Sequence, residues 1–306
     1  MIMKVKRILQ YIWDPAYRMG IDSRWGRYNY LSDEEYLKKR FKLSFKRSLD
    51  LKSPSTFNEK LQWLKLYDRR PEYTVMVDKN AAKQYVAERI GERYIIPTLG
   101  VWDRFDDIDF EMLPKQFVLK CTHDSGGLII CRDKEKLNKA KAKRRLCRSL
   151  KRSFYERSRE WPYKDVPRRI IAEEYMEDAE SRELRDYKVH SFNGEPRFIL
   201  VCSNRFGTSG LAEDFYTDTW EHIEVRRPEH PNANCPIGKP EELEQILELS
   251  RILSKGIPFL RTDFYIINHR IYFGELTFYP ASGFTGFVPE KYDHIFGSYL
   301  RLPLQE

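Results

Sequence analysis

A chain of 306 residues, 41% hydrophobic and 33% charged, can bury a sizeable core in about two lobes and falls outside the disordered classes. Its formal charge of +8 and sequence pI near 9.0 point to anionic partners: nucleotide, acidic glycan, lipid headgroup or nucleic acid. Five cysteines, at 121, 131, 147, 202 and 235, include no CxxC pair, which argues against a zinc knuckle or a disulfide framework and fits reduced thiols in a cytoplasmic protein.

In chain order, Met1–Trp13 carries Lys4, Lys6 and Arg7 among apolar residues. It is too short to span a bilayer and no small-residue cleavage site follows. It reads either as a helical leader packed on the body or as an element lying on a membrane surface. Residues 32–49 read as a basic helix opening at Ser32-Asp33-Glu34-Glu35, with Leu37, Phe41 and Phe45 at a spacing of four. Thr56-Phe57-Asn58-Glu59 is a capping box, opening a helix that sets Phe57, Leu61, Leu64 and Tyr67 on one face. A third helical pattern runs from Asp78-Lys79 to Ile90 and stops at Gly91, and Asp106 to Pro114 is acidic and loop-like.

The period then changes. Phe117–Lys120 and Leu128–Cys131 read as strands around a Gly-rich turn, and residues 134–160 as basic and helical. Ile170–Met176 is a strand running into a connector. Tyr187–Phe192 and Arg197–Cys202 are strands joined by Asn193-Gly194, the strongest short hairpin signal. Residues 203–238 look irregular, a helix runs from Pro240 to Lys255 with Gly256 as its cap, and a last hairpin turns at Asn268-His269 before a Gly- and Pro-rich tail. No internal repeat is present. This order of helices and antiparallel hairpins predicts an α+β fold.

The last hairpin, Arg261-Thr262-Asp263-Phe264-Tyr265 and Ile271 to Thr277, holds one acid per strand in otherwise apolar runs: Asp263 and Glu275. A carboxylate in a buried strand is costly unless paired or metal-bound. Two of them on neighbouring strands suit Mg²⁺ held together with nucleotide phosphates. The competing reading pairs Asp263 with Arg261 and turns Glu275 to solvent. The turn Lys120-Cys121-Thr122-His123-Asp124-Ser125-Gly126-Gly127 lets backbone N–H groups approach an anion, with Lys120 and hydroxyls adding to the cradle. It is not a Walker loop, and an ordinary hairpin turn is its rival. Glu173-Glu174-Tyr175-Met176 could offer a base ring an apolar slot with edge hydrogen bonds. Asp186 and Lys188 share one face of the next strand, as ribose and phosphate contacts or as an exposed ion pair on an edge strand.

Taken in order, these segments resemble the ATP-grasp superfamily, and its TupA-like branch in particular, found among genes for bacterial surface polysaccharides. The resemblance covers about residues 50–303. It is carried by Thr56-Phe57-Asn58-Glu59-Lys60-Leu61-Gln62-Trp63, Phe117 to His123, Ser158-Arg159-Glu160-Trp161-Pro162-Tyr163, Asp186-Tyr187-Lys188 and Phe273-Gly274-Glu275-Leu276-Thr277-Phe278. It implies an ATP-grasp fold: two α+β lobes holding ATP between them. The divisions are a basic helical extension at 1–50, a helical substrate lobe at 51–115, a small lobe with the phosphate hairpin at 116–175 and a large lobe with the metal site at 176–306. It further implies that Lys79 and Lys120 contact ATP phosphates, that Ser125, Gly126 and Gly127 form the loop closing over them, and that Glu173 and the Met176 backbone meet adenine. Asp186 takes the place of the ribose-binding acid, and Asp263, Glu275 and Thr277 that of the Mg²⁺ ligands. Arg261 and Lys188 are the catalytic cations, and Ser282 and Gly283, within Pro280-Ala281-Ser282-Gly283, the substrate loop. Two residues depart from the pattern: Thr277 stands where Asn is usual, and Asp124 where glycine is expected.

The activity implied is ATP-dependent joining of an amine, such as an amino acid, to the carboxylate of a uronic acid in a surface polysaccharide or lipid-linked precursor. The basic 134–160 segment, with Phe154, Tyr155, Trp161 and Tyr163, is a candidate for holding that acidic glycan, or simply a solvated helix face. Other readings keep the fold for a sugar kinase or transferase, or see a basic glycan- or nucleic-acid-binding protein. No nucleic-acid module is recognisable in the sequence.

Overall fold

The computed structural model describes residues 2–179, 184–204 and 210–303. The N-terminal extension is helical: α1 (Ile2–Trp13), α2 (Pro15–Ser23), whose first turn is capped by Asp14, and α3 (Asp33–Phe45). Ser32 and Glu35 form the reciprocal capping box that starts α3. Met19, Tyr36, Leu37, Phe41 and Leu49 close a small core of their own. No helix among the described residues is long and apolar enough to cross a membrane.

α4 (Phe57–Tyr67) begins at the Thr56–Glu59 box, with both halves formed. The expected stripe of Phe57, Leu61 and Leu64 is buried, but Tyr67 is exposed, and Asn58, Glu59, Gln62 and Lys65 are buried as well. A helix buried on its polar side needs polar partners there, and α10 (Lys291–Tyr299) supplies some. Asp293 Oδ1 accepts from the Asn58 backbone N–H at 3.0 Å and from Asn58 Nδ2 at 2.8 Å. The two helices meet so closely that a Cβ on Gly297 would lie 2.5 Å from the Ser55 carbonyl oxygen and 2.7 Å from the Phe57 nitrogen. Gly297→Ala is therefore expected to lower stability by about 1–3 kcal/mol, read as a shift in denaturant midpoint. An unshifted midpoint would show that the α4–α10 contact yields freely.

α5 (Glu72–Val77) and α6 (Ala81–Ile90) follow, and α6 ends at Gly91 with φ +107°. Next come β1 (Thr98–Trp102), β2 (Phe117–Cys121), β3 (Leu128–Cys131) and β4 (Ile170–Glu174). They form an antiparallel sheet in the order β1-β4-β2-β3. The basic 134–160 stretch is not one helix. A short 3₁₀ turn precedes α7 (Lys139–Leu150), and a break at Lys151–Ser153 separates it from α8 (Phe154–Ser158), which Ser153 caps. Ala142 and Leu146 of α7 pack with Phe105, Phe110, Phe117 and Leu119 into the core of this lobe.

The second antiparallel sheet has six strands, ordered β10-β9-β5-β6-β7-β8. β5 (Asp186–Phe192) and β6 (Glu195–Ser203) turn at Asn193-Gly194, both at positive φ, as the dipeptide predicted. The stretch expected to be irregular contains β7 (Ala212–Thr217) and β8 (His222–Ile223). α9 (Leu243–Ser254) packs on this sheet, and β9 (Phe259–Ile267) and β10 (Arg270–Thr277) turn at Asn268-His269. The Gly- and Pro-rich tail holds a 3₁₀ turn at 280–283 and α10. Two antiparallel sheets with their helices make the fold α+β.

Candidate active site

The site begins with strand register. Asp263 faces Lys188 on β5 and Glu275 on β10, and in the next row Arg261 faces His190 and Thr277. Side chains alternate along a strand, so these groups share one face of the sheet. A register shift between Phe273 and Glu275, at Gly274, brings Glu275 opposite Asp263.

Arg261 is the hub of this face. Its Nε donates to Asp263 Oδ1 at 2.6 Å, and its Nη2 to Asp263 Oδ2 at 2.8 Å, Glu275 Oε1 at 2.9 Å and Thr277 Oγ1 at 3.0 Å. Lys188 also donates to Asp263 Oδ2 and lies 3.6 Å from Asp186 Oδ1. Asp263 is buried with both oxygens taken, so the competing pairing with Arg261 is the one formed. Burial keeps its pKa above the ordinary value although Arg261 and Lys188 pull it down. Glu275 differs: its side chain is 39% exposed and lines a cavity. Burial works to raise its pKa, but Arg261, Lys79, Lys188 and Lys120 hold it at about 2. Asp186 and Lys188 are not an exposed edge pair. β5 lies between β9 and β6, and both residues are buried.

On the small sheet, Glu173 is buried between two lysines. Lys120 Nζ stands 2.5 Å from Oε2 and Lys83 Nζ 2.6 Å from Oε1. Desolvation would raise the Glu173 pKa, but the two cations bring it down to about 2. A depressed folded-state pKa stabilises above the unfolded value, near 4.5, and that stability is lost as pH falls from there towards 2. The thermal midpoint of Glu173→Gln is accordingly expected to fall less steeply than that of the wild type over this window. Equal slopes would show that Glu173 is not held in this way. Met176 lies two residues beyond β4, in the connector and half-buried.

Lys79 reaches the hairpin between β2 and β3. Its backbone N–H donates to the Thr122 carbonyl at 3.1 Å and its Nζ to the Asp124 carbonyl at 2.6 Å. Ser125 and Gly126 are exposed at the tip. Asp124, which replaces the expected glycine, turns its carboxylate back on the loop. Its Oδ1 accepts from the N–H of Gly126 at 3.2 Å and of Gly127 at 3.0 Å, and its Oδ2 from Ser149 Oγ. Gly127 has no room for a side chain, since a Cβ would lie 2.4 Å from Cys121 Sγ.

One cavity of about 470 Å³ gathers Lys79, Ser125, Arg261, Glu275, Thr277 and Ser282. Ala281 and Ser282, which line it, are strained, with φ of +48° and +56°, and Gly283 follows at +61°, a value glycine adopts freely. The strain is held from α4, where Gln62 Nε2 donates to the Gly283 carbonyl at 2.7 Å and Lys65 Nζ to the Ser282 carbonyl at 2.8 Å. Ser282 Oγ donates to Glu160 Oε1 at 2.6 Å. Lys65 is completely buried, and desolvation outweighs Glu160 to bring its pKa down to about 7.

The structure thus brings Lys79, Ser125, Arg261, Glu275, Thr277 and Ser282 to one cavity, which Lys120, Gly126, Gly127, Glu173, Met176, Asp186, Lys188, Asp263 and Gly283 do not line, and sequence reasoning missed Lys83, Lys65 and Glu160. A signal existed for two of them. Lys83 follows Lys79 at helical spacing, and Glu160 lies within the Ser158–Tyr163 segment. Lys65 carries no such mark.

The donor set fits a nucleotide triphosphate with Mg²⁺ in part. Lys79, Lys120 and Arg261 could neutralise phosphates. Glu275 and Thr277 offer hard oxygens to the cavity, enough for an ion that takes one or two carboxylates and completes its shell with phosphate and water. Asp263, as placed, is committed to Arg261 and Lys188. No group of three or more His, Cys, Asp or Glu able to hold a metal occurs among the described residues.

No curated protein matches the sequence significantly. Among solved structures, D-alanine–D-alanine ligase from Bacillus anthracis in complex with ATP aligns at 18% identity and a TM-score of 0.37, over 66% of this chain and 53% of that one. D-alanine–D-alanine ligase from Helicobacter pylori aligns at 13% identity and 0.39, over 74% and 63%. The ATP-grasp ligase PsnB with minimal precursor, Mg and ADP aligns at 10% and 0.38, over 72% and 57%. The chain therefore spans less than two thirds of each of these proteins. The sequence model of the TupA-like ATPgrasp family fits residues 59–301, from the capping box of α4 to just past α10, and the chain belongs to that family.

Proposed function

We propose that the protein is an ATP-dependent carboxylate–amine ligase that joins an amino acid or other amine to a uronic-acid carboxylate of a surface polysaccharide or its precursor. The observation that carries this reading is the single cavity in which the phosphate hairpin, the Arg261–Glu275 pair and the strained Ser282 loop meet. A carboxylate is too poor an electrophile for an amine. Transfer of the γ-phosphoryl of ATP to a carboxylate oxygen gives an acyl phosphate and ADP. The amine then attacks the acyl carbon, the C–N bond forms as phosphate leaves, and the amine gives up a proton. The protein supplies positioning and charge.

In this reading Lys79 and Lys120 hold ATP phosphates beneath Ser125, Gly126 and Gly127, Glu173 fixes Lys120 and Lys83 through its two ion pairs, and the Met176 backbone meets adenine. Asp186 takes the ribose. Glu275 and Thr277 bind Mg²⁺, which spreads the phosphate charge when bound. Asp263 orients Arg261 and Lys188 towards the acyl phosphate, and Ser282 and Gly283 contact the acceptor. The decisive experiment is mass spectrometry of the purified protein with Mg-ATP, uronic-acid oligosaccharides and a panel of amino acids. The expected product is lighter than its summed substrates by one water. A product that has instead gained a phosphoryl group, without needing an amine, would make the protein a sugar kinase.

Such a cytoplasmic enzyme would work at the inner face of the membrane. In α1, Ile8, Leu9, Ile12 and Trp13 are exposed, and Lys4, Lys6 and Arg7 belong to the same helix. The protein is expected to float with vesicles containing anionic lipid, and Ile12→Glu/Trp13→Glu to stay behind. Equal flotation of the two would remove α1 as the contact.

A further inference from the structure

A second cavity, also of about 470 Å³, borders the β2–β3 hairpin at Asp124, Ser125 and Gly126. Its wall carries six arginines: Arg24 just beyond α2, Arg144, Arg145 and Arg148 on α7, Arg152 in the break, and Arg157 on α8. The single acid in the wall, Asp124, is already committed to Gly126, Gly127 and Ser149. Among the described residues none of the six arginines forms an ion pair with a carboxylate. Arg24 Nε is buried with no hydrogen-bond partner. Buried donors are ordinarily satisfied, and uncompensated like charges work against the compact state. Desolvation and then Arg152 and Arg40 lower the pKa of Arg24, and desolvation, Arg24 and Arg40 bring that of Arg157 down to about 10.

The two cavities adjoin, with Ser125, Phe154 and Arg157 lining both. Guanidinium forks match carboxylate or phosphate oxygens in pairs. Duplex nucleic acid is far wider than such a cavity. A single strand would call for a row of stacking aromatics, and Phe154 is the one aromatic in the wall. If the neighbouring cavity activates a carboxylate on a repeating acidic chain, the units beside the reacting one carry the same charge and need a cationic bed.

We propose that the arginine cavity is a subsite for an acidic glycan chain with repeated carboxylates, holding the units next to the one that reacts. The proposal rests on the ligase reading for the identity of the chain, and its test does not require turnover. Calorimetry would measure oligogalacturonide binding to the full chain at low and high salt, beside neutral malto-oligosaccharide, inorganic pyrophosphate and oligothymidylate. The expected result is salt-dependent binding of oligogalacturonide and none of malto-oligosaccharide. Arg144 and Arg148 are exposed on α7, so Arg144→Ala/Arg148→Ala is expected to fold, as a thermal melt would verify. Its oligogalacturonide affinity is expected to fall at least tenfold, with Arg144→Lys/Arg148→Lys in between and ATP affinity unmoved. Equal affinity in wild type and the double alanine variant would overturn the proposal. So would the lack of oligogalacturonide binding by wild type, or tighter binding of pyrophosphate or oligothymidylate. Binding at these arginines without any dehydrated product would instead sink the ligase reading and leave the subsite standing.

Discussion

Glu275→Gln is expected to lower turnover of Mg-ATP with a carboxylate and an amine by on the order of 10²–10³ while leaving the fold intact. The substitution keeps an oxygen for the Arg261 hydrogen bond, 2.9 Å long in the wild type, and removes only the charge. That charge is permanent across the physiological range, because Arg261 and three lysines outweigh burial and hold the pKa at about 2. Glu275 is also the acid of the β9–β10 hairpin that opens onto the cavity, so under the proposed ligase function its loss falls where phosphate charge would be balanced. Steady-state ATP turnover and a thermal melt on the same preparation check the result. A variant turning over within about threefold of wild type would remove Glu275 from the metal-binding role.

Asp263 is expected to behave in the opposite way. Asp263→Ala removes the counter-ion shared by Arg261 and Lys188, leaving Arg261 with Glu275 and Lys188 with the more distant Asp186, 3.6 Å away, on a sheet face where Asp263, Arg261 and Lys188 are all buried. Leaving buried charge uncompensated costs about 3–5 kcal/mol, so the denaturant midpoint should move far more than for Glu275→Gln. Adding Lys188→Met is expected to recover part of the loss, because the second variant removes one of the stranded cations. A single variant within about 1 kcal/mol of wild type would mean that Asp263 is not the anchor of this face. Side by side, Glu275 and Asp263 separate the two roles that their similar sequence contexts confound: one acid opens to the cavity, the other holds the cations that border it.

Much of the architecture was legible because its signals are local. The Thr56–Glu59 capping box, Asn193-Gly194, the Asn268-His269 turn and the spacing of Leu37 and Phe41 each act over a few residues, and each appears in the structure where the chain places it. The misses have physical causes. β7 reads Ala-Glu-Asp-Phe-Tyr-Thr, and both of its acids are buried, so no polar–apolar alternation marks it. Asp214 is satisfied instead by the Ala233 N–H, 19 residues away. α10 contains Gly297, a poor helix former in isolation, which is required by the closeness of the residue 55–57 backbone. β1 is short and contains Gly100, and it gains its pairing from β4, over seventy residues later in the chain.

The candidate site divides along the same line. Residue types and order were sufficient to single out Lys79, Lys120, Asp263 and Glu275, because an acid or a lysine in an apolar run stands out wherever the run folds. What each one touches was decided by the tertiary structure. Register across β5, β9 and β10 commits Asp263 to two cations and leaves Glu275 at the cavity. α6 packs against α5 and α9, and from there Lys83 reaches across to Glu173 of the small sheet. The packing of α2 on α8 brings Arg24 beside the arginines of α7 and α8 and turns scattered residues into one cationic wall. The energy of a buried charge depends on partners a few ångströms away in space, and those partners come from strands and helices far apart in sequence.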